Sequence, residues 1–302
     1  MSGPLEDEFG LLAGCSLNSG GLTLVKGSLQ LSGLFLVQHY VKVLLQRNYA
    51  VVLVTAEQVL DRFQYTAKKM GVSLPQYQQS GHLFHVEAPL AVVGGGTGHD
   101  ADQAPAAAAA AASRSSSRLQ QLIAAVQQAA TQRAPSAAGV ALVIDSLTVL
   151  AGMCPGRAEW TAFLHYCCSG VLGASAGGEG VAAPAQHEQV PYCFVAGAYG
   201  DVPDDRPWLA SLEHRANMVV TVGPLPGGKM ADVDGQVTFM QRFGRPPSGA
   251  GPRLSGQAAH GAAALAAASA AALPLQLRQS LYFRSTELAV KWMAAVTSRE
   301  LL

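Results

Sequence analysis

Short runs that are apolar at nearly every position alternate along the chain with segments whose apolar residues are spaced as in a helix. Two such runs, Ala50–Thr55 and Val140–Ile144, have the length of a strand and are too short for a helix. Strands of this kind are buried on both faces, as in parallel sheets. The segment 33–46 carries apolar residues at helical spacing, namely Leu34, Val37, Val41, Leu44 and Leu45. The alternation predicts a parallel sheet covered by helices on both faces.

The same reasoning assigns most of the remaining elements. Further strands are predicted at Leu22–Lys26, His82–Val86, Tyr192–Val195 and Asn217–Val222. Further helices are predicted at Val59–Met70, Arg118–Gln132 and Arg157–Cys168. Towards the end of the chain, three strand-like segments follow one another without helices between them: Gln236–Arg242, Leu275–Arg284 and Ala289–Met293. We expect these to be antiparallel strands at one edge of the sheet, which completes a three-layer α/β sandwich.

Three segments rich in Ala, Gly and Ser interrupt this pattern, at about 93–117, 170–186 and 246–273. Such side chains bury too little apolar area to offset the entropy of ordering them in a core. We interpret them as surface insertions. A chain of 302 residues is long enough for two domains. No linker separates two cores, so we predict a single domain over 1–302.

Charge and cysteine content exclude several classes of protein. The 20 Lys and Arg balance the 20 Asp and Glu, so the overall charge gives no argument for a nucleic-acid or membrane partner. The five cysteines include no C-x-x-C pair, which argues against a zinc ribbon or a disulfide scaffold. The acidic start lacks the features of a signal peptide, and no segment is apolar enough to span a bilayer. We expect a soluble protein of a reducing compartment.

The turn after the first predicted strand is where a fold of this kind usually binds a phosphate. A P-loop reads G-x-x-x-x-G-K-[ST], whereas this chain reads GSLQLSGLF from Gly27 to Phe35. Counting from Gly27 puts Ser32, Gly33 and Leu34 at the Gly, Lys and Ser/Thr positions. Taking Gly33 as the second glycine puts Leu34 at the lysine and Phe35 at the hydroxyl. Neither frame supplies the lysine or the magnesium-binding hydroxyl, so we expect no bound nucleotide or metal cofactor.

Two acidic residues stand where an ATPase would use them. Asp145 ends the buried strand Val140–Ile144, as a Walker B aspartate does. The alternative is a structural aspartate that caps the following turn, and the missing P-loop lysine favours it. Glu57 follows the strand Ala50–Thr55, where RecA-type ATPases carry the glutamate that activates the attacking water. This similarity supports a RecA-like fold with a degenerate P-loop, and it leaves the function open because function does not follow from fold.

A G-x-S-x-G motif at Gly173–Gly177 resembles the nucleophile elbow of α/β-hydrolases, with Ser175 as the nucleophile. Asp201 and His214 follow in the order that such a triad requires. The elbow must lie on a sharp turn from strand to helix, whereas this motif follows a helix and lies within an Ala/Gly/Ser-rich insertion. A serine hydrolase is therefore a less favoured hypothesis.

Two further patterns are weaker still. Gly96–Ala101 matches the dinucleotide motif G-x-G-x-x-A, but Pro105 and an alanine tract replace the expected helix start. His165 and Cys168 have the spacing of two metal ligands, but no second pair accompanies them. We interpret these two residues as part of a buried helix face.

The last part of the chain is basic. The segment from Gln236 to Leu302 has only two acidic residues, Glu287 and Glu300. It has seven basic residues: Arg242, Arg245, Arg253, Arg278, Arg284, Lys291 and Arg299. Three aromatic residues lie among them: Tyr282, Phe283 and Trp292. Such a combination can bind an RNA backbone. A solvated strand face is the commoner explanation for a local excess of cations.

The order and spacing of several segments resemble the Elongator complex protein 6 family. They are LTLVK at Leu22–Lys26, the degenerate loop with Gly33, FLVQH at Phe35–His39, KMGVSL at Lys69–Leu74, GHLF at Gly81–Phe84, LVIDSLTVL at Leu142–Leu150, FLHYC at Phe163–Cys167, DGQV at Asp234–Val237 and LYF at Leu281–Phe283.

The resemblance implies a RecA-like fold without nucleotide-binding motifs and a non-catalytic role. Two related subunits, four and five, would complete a heterohexameric ring that binds tRNA. That ring belongs to Elongator, which modifies wobble uridines of tRNA anticodons towards 5-carboxymethyl derivatives, with the chemistry in another subunit. The partners implied are these subunits, the rest of Elongator and tRNA, without a membrane. We expect a cytoplasmic location, with the nucleus as a second one, and Leu34 and Phe35 are candidates for the subunit interface. The alternative is a nucleotide-binding RecA-type ATPase with an atypical loop.

Overall fold

The computed structural model describes residues 21–88, 119–154, 156–169, 191–225, 230, 232–242, 276–285 and 290–294. The strands are β1 (Gly21–Gly27), β2 (Tyr49–Thr55), β3 (Leu83–Glu87), β4 (Gly139–Ile144), β5 (Tyr192–Tyr199), β6 (Met218–Gly223), β7 (Gly235–Arg242), β8 (Gln276–Ser285) and β9 (Val290–Ala294). The helices are α1 (Leu34–Gln46), α2 (Leu60–Lys69), α3 (Leu74–Gln79), α4 (119–131), α5 (Leu147–Gly152), α6 (Arg157–Cys168) and α7 (Arg206–Arg215).

The nine described strands form one mixed sheet in the order β3-β2-β4-β5-β1-β6-β7-β8-β9. Strands β1 to β6 pair in parallel, whereas β7, β8 and β9 are antiparallel additions at one edge. The predicted fold class, a mostly parallel α/β sandwich with antiparallel edge strands, is confirmed. Because β1, β2, β4 and β5 run in the same direction, the loops that follow them meet at a single edge of the sheet. The candidate site lies at this edge.

Two hydrophobic cores lie on the two faces of the sheet. The first face packs against α1, α2 and α3, and the second against α4, α5, α6 and α7. Strands β2 and β4 are buried at every residue because helices cover both faces, as their uninterrupted apolar sequences require. Alternate residues of β2, such as Val51 and Val52, serve the two cores in turn.

The sequence prediction agrees with the structure to within one or two residues for most elements, and α6 coincides with the predicted helix. Strand β5 continues four residues beyond the predicted end, as far as Tyr199. The three helices α3, α5 and α7 were not predicted. Helices α3 and α5 are only six residues long, and α7 buries only Leu209 and Leu212, so none has a clear periodic pattern.

The predicted insertions at 93–117, 170–186 and 246–273 lie outside the described residues. The single-domain assignment over 1–302 therefore stays a prediction. Within the described part of the chain, no helix has the length and apolar character needed to cross a bilayer.

An aromatic cluster joins α1 to the antiparallel edge strands. The ring of Phe35 lies 4.9 Å from that of Phe283 on β8 and 6.2 Å from that of Trp292 on β9. His39, one turn further along α1, contacts Trp292 edge-on with ring centroids 6.2 Å apart. Aromatic pairs in such geometries each add about 0.5–1.5 kcal/mol beyond the area they bury. The cluster therefore fixes the start of α1 against the last two strands of the sheet.

His39 should make the protein less stable in mild acid. Burial, together with the charge of nearby Lys42, lowers the pKa of His39 from 6.5 to about 4. Below pH 6.5, His39 is protonated in the unfolded chain but stays neutral in the folded chain. The free energy of unfolding therefore falls as the pH drops from 6.5 towards 4. We expect a loss of about 2 kcal/mol between pH 7 and pH 5, measured by urea unfolding of the full chain.

The matched variant is His39→Phe, which keeps an aromatic ring at this position and removes the titration. Burial also lowers the pKa of His85, so the relevant quantity is the difference between the two pH profiles. An identical pH dependence in wild type and variant would contradict the assignment to His39.

Candidate functional site

The loop from Gly27 to Gly33 closes on itself directly after β1. The amide of Ser28 donates to the carbonyl of Leu31 at 3.0 Å, and the amide of Leu31 donates back to Ser28 O at 3.1 Å. A Cβ atom at Gly27 would lie 2.5 Å from the amide nitrogen of Gly33, so only glycine permits this closure. The glycines are therefore used to pack the loop tightly against its own backbone.

The position of the P-loop lysine lies inside the core. Leu34 is only 8% exposed and belongs to the hydrophobic core of the first sheet face. Leu31 packs against the same core, and its side chain covers Gly235 at the start of β7. In the second frame the magnesium-binding hydroxyl is replaced by Phe35, which is part of the aromatic cluster. Leu34 is therefore packed within the chain, and its proposed role in a subunit interface was wrong.

The side-chain carboxylate of Asp201 accepts a hydrogen bond from a backbone amide of this loop. Both oxygens of Asp201, just beyond β5, accept a hydrogen bond from the amide of Leu29 at 3.0 and 3.1 Å. Backbone amides of this loop are the groups that would bind phosphate oxygens in a P-loop. The side chain of Leu29 points outward and is 70% exposed. The loop therefore exposes the apolar side chain of Leu29 to solvent, while the amide of Leu29 binds a carboxylate of the same chain.

Asp145 is held by three backbone amides. Its Oδ1 accepts from Ala56 at 2.7 Å, and its Oδ2 accepts from Glu57 and Gln58 at 3.0 Å each. The residue is 3% exposed, and burial raises the pKa of Asp145, an effect that these three bonds only partly oppose. A Cβ on Gly197 would lie 2.1 Å from the carbonyl oxygen of Asp145, so strand β5 needs a glycine there.

The structural alternative for Asp145 needs one correction. The predicted cap was on the turn that follows Asp145 itself, whereas the carboxylate binds the turn after the neighbouring strand β2. The turn that follows Asp145 is capped instead by Ser146, whose hydroxyl accepts from the amide of Val149. Sequence proximity suggested the wrong turn, because the contact joins positions 89 residues apart.

Glu57 and Ser32 meet at a tyrosine. The hydroxyl of Tyr199, at the end of β5, donates to Glu57 Oε1, and it lies 3.5 Å from the hydroxyl of Ser32. The amide of Tyr199 donates to the hydroxyl of Thr148 on α5 at 3.0 Å. Burial and the bond to Glu57 raise the pKa of the Tyr199 phenol, so the phenol stays protonated and acts as a donor. Glu57, exposed at this edge, is thus bound to Tyr199.

Tyr199, Asp201 and Thr148 complete the site and were not assigned to it from the sequence. Asp201 was noted only as a triad member for Ser175, a role that its bond to Leu29 does not support. An acidic residue shortly after a central strand is a usable signal, but the sequence does not show which loop it contacts. Together the three residues link the segments that follow β1, β2, β4 and β5.

The remaining sequence candidates do not converge on this site. Ser175 and Gly96–Ala101 lie outside the described residues. His165 is exposed on α6, so its placement on a buried helix face was wrong, and Cys168 is half-buried. In the described ranges, no three His, Cys, Asp or Glu side chains come close enough together to bind a metal ion.

The basic segment is divided between two faces of the sheet. Phe283 and Trp292 are buried in the core of the first face, so they are structural residues and cannot stack on bases. Arg278, Arg284 and Lys291 are exposed. Arg245, Arg253 and Arg299 lie outside the described residues.

The sheet and this edge define a mostly parallel α/β protein in which core and loop contacts lie where a P-loop would place its lysine and hydroxyl. A family model, Elongation complex protein 6, matches residues 13–253, and the chain belongs to that family. The human Elongator complex protein 6 is 25% identical to it over 229 residues, which cover 74% of this chain and 80% of the human protein. A crystal structure of a KaiC-like protein from Pyrococcus horikoshii OT3 is also similar, with a TM-score of 0.47 and 10% identity over 91% of this chain and 89% of that one.

Replacing Asp145 should destabilise the fold. In the variant Asp145→Asn, the side-chain amide turns a donor towards backbone amides that need an acceptor, and the charge that strengthens the bonds is lost. We expect the free energy of unfolding to fall by about 3 kcal/mol in urea titrations of the full chain.

Glu57→Gln is the matched control, because Glu57 is exposed and a glutamine can still accept from Tyr199. We expect that variant to change stability by less than about 0.5 kcal/mol. A loss below about 1 kcal/mol for Asp145→Asn would mean that the carboxylate is not the structural anchor we describe.

Proposed function

We propose that this chain is a non-catalytic subunit of the Elongator complex. Together with two related RecA-like subunits, four and five, it would form a heterohexameric ring. The ring would bind tRNA and support modification of wobble uridines towards 5-carboxymethyl derivatives by the rest of Elongator. Family membership supports the place in Elongator. The proposal extends that membership to the partners, the RNA and the location, which we expect to be cytoplasmic and nuclear.

The burial of Leu34 is the observation that carries the non-catalytic role. A P-loop lysine must reach the terminal phosphates, whereas this position lies within a packed apolar core. Introducing an ammonium group there would require desolvating a charge without a partner. A subunit without nucleotide chemistry can still supply the two different surfaces that close a ring of non-identical neighbours.

The two acidic residues at this edge, Asp145 and Glu57, also support a non-catalytic role. A Walker B aspartate holds magnesium through water, which requires carboxylate oxygens that can be reached from the phosphate site. Both oxygens of Asp145 accept backbone hydrogen bonds, and Glu57 is bound to Tyr199. The competing function, a nucleotide-binding ATPase with an atypical loop, would require all of these contacts to be exchanged for contacts to nucleotide.

Affinity purification of the tagged full chain from its native cells tests the proposal. We expect two different RecA-like partners to co-purify in equal amounts with this chain, in a particle of six chains. Native mass spectrometry of the eluate gives the masses and stoichiometry directly. The catalytic part of Elongator should be present in the same eluate at low salt.

A destabilised control is the variant Asp145→Asn, whose lower stability should reduce the recovery of the partners. A monomer or a homohexamer from the wild-type chain would contradict the proposed assembly. Such a result would leave the family membership in place and make nucleotide binding the next property to measure.

A further inference from the structure

The antiparallel edge of the sheet has one apolar face and one basic face. Along β7, Val237 and Phe239 point into the core of the first face, and Leu281 and Phe283 do so on β8. The alternate positions point to the opposite side, because successive side chains of a strand alternate. Their side chains are half-buried or exposed: Gln236, Thr238, Met240, Arg242, Arg278, Ser280, Tyr282, Arg284, Lys291 and Met293.

Four of these side chains form what we call the basic sheet face: Arg278, Tyr282, Arg284 and Lys291. The three cations are exposed. Arg284 forms an ion pair with Asp232, in which both side chains remain largely exposed. Arg242, further along β7, donates to the carbonyl of His214, which holds it near the same side of the sheet. Asp232 is thus an acid that pairs with this group.

Two of the cations are direct neighbours across strands. Arg284 of β8 lies opposite Lys291 of β9 in the antiparallel register. Like charges at directly opposite positions destabilise a sheet, and Asp232 can offset only one of the two charges. An anion bound above this pair would remove the repulsion. The arrangement therefore favours a negatively charged ligand at this end of the face.

Tyr282 lies between the cations. It precedes Arg284 by two positions on β8, and Ser280 separates it from Arg278 on the same side of the strand. Residues two apart on a strand are about 7 Å apart, so the row from Arg278 to Arg284 extends about 20 Å. Its cross-strand neighbours are Gln236 and Met293, neither of which is charged. A half-buried ring between exposed cations is a platform on which a base can stack.

Protection of an edge strand is a competing explanation for one cation. Lysine on an edge strand hinders pairing with another chain, and Lys291 lies on β9, the outermost strand. Arg278 and Arg284 lie on β8, which is paired on both sides by β7 and β9. Edge protection therefore does not explain them or the position of Tyr282.

We propose that the basic sheet face binds a single-stranded segment of RNA. Arg278, Arg284 and Lys291 contact phosphates, and Tyr282 stacks on a base. The inference rests on the proposed function to the extent that the RNA is tRNA, whose unpaired loops supply such segments. No base is read by hydrogen bonds in this scheme, so binding tolerates different sequences.

The test uses the wild-type full chain, as co-purified with its partners, and two double variants of the same complex. One is Arg278→Gln with Lys291→Gln, and its control is Arg62→Gln with Lys68→Gln, two exposed cations of α2 on the other side of the sheet. Fluorescence anisotropy measures binding of a labelled 12-nucleotide single strand and of a whole tRNA at several salt concentrations. For the single strand, neutralising two phosphate contacts should reduce the salt slope of log K by about 1.4, while the control stays unchanged. Tyr282→Leu should weaken binding about tenfold with little change in that slope.

The outcomes separate this inference from the function on which it rests. If the wild-type complex binds tRNA and all variants bind as tightly, the basic sheet face is not the contact and the inference is overturned. If the wild-type complex binds no RNA, both this inference and the RNA-binding part of the proposed function are wrong. If Lys291→Gln alone causes aggregation while RNA affinity stays constant, the cations serve edge protection, which also overturns the inference.

Discussion

Three backbone amides bound to one buried carboxylate fix the geometry of the whole site. Asp145 directly follows β4. Its carboxylate accepts hydrogen bonds from the amides of Ala56, Glu57 and Gln58, in the turn after the neighbouring strand β2. Bonds of this kind are strong because the acceptor is a carboxylate in a buried place. They determine where Glu57 lies, and Glu57 in turn accepts from Tyr199 at the end of β5. The loop after β2 is thus held by Asp145, and the end of β5 is held in turn by that loop.

The outcome of this arrangement is a sheet edge at which carboxylates of the same chain bind the loop amides. Asp201 binds the amide of Leu29, where a phosphate oxygen would bind in a P-loop. Leu34 and Phe35 are turned into the core and the aromatic cluster. The residues at the lysine and hydroxyl positions of a P-loop are therefore the ones that hold α1 to the sheet.

The parts of the fold that were predictable are those encoded by local pattern. Uninterrupted apolar runs identified β2 and β4, because burial on both faces leaves no room for polar residues. The short helices α3 and α5 could not be found, since six residues give no period to detect. Absence of the P-loop lysine was readable from the sequence. The burial of Leu34 and the bond between Asp201 and Leu29 were not, because those depend on contacts far apart in the chain.

The basic segment shows the same limit. Phe283 and Tyr282 are adjacent in sequence, yet one is buried and the other lies on the open face. A count of cations and aromatics cannot separate them, whereas the alternation of side chains along β8 does so once the strand's register is known. Only Tyr282 of the three aromatics is available to a ligand.

Titration calorimetry of ATP with magnesium into the purified full chain tests most directly the claim that internal contacts have replaced the nucleotide site. The variant Leu34→Lys is titrated alongside, because it restores the one side chain that a P-loop requires. We expect no saturable heat for either protein, and a less stable fold for the variant because a lysine replaces a core leucine. A one-to-one binding curve with the wild-type chain would mean that the nucleotide site is still present, and binding or ATP turnover by Leu34→Lys would show that the rest of the site is still intact.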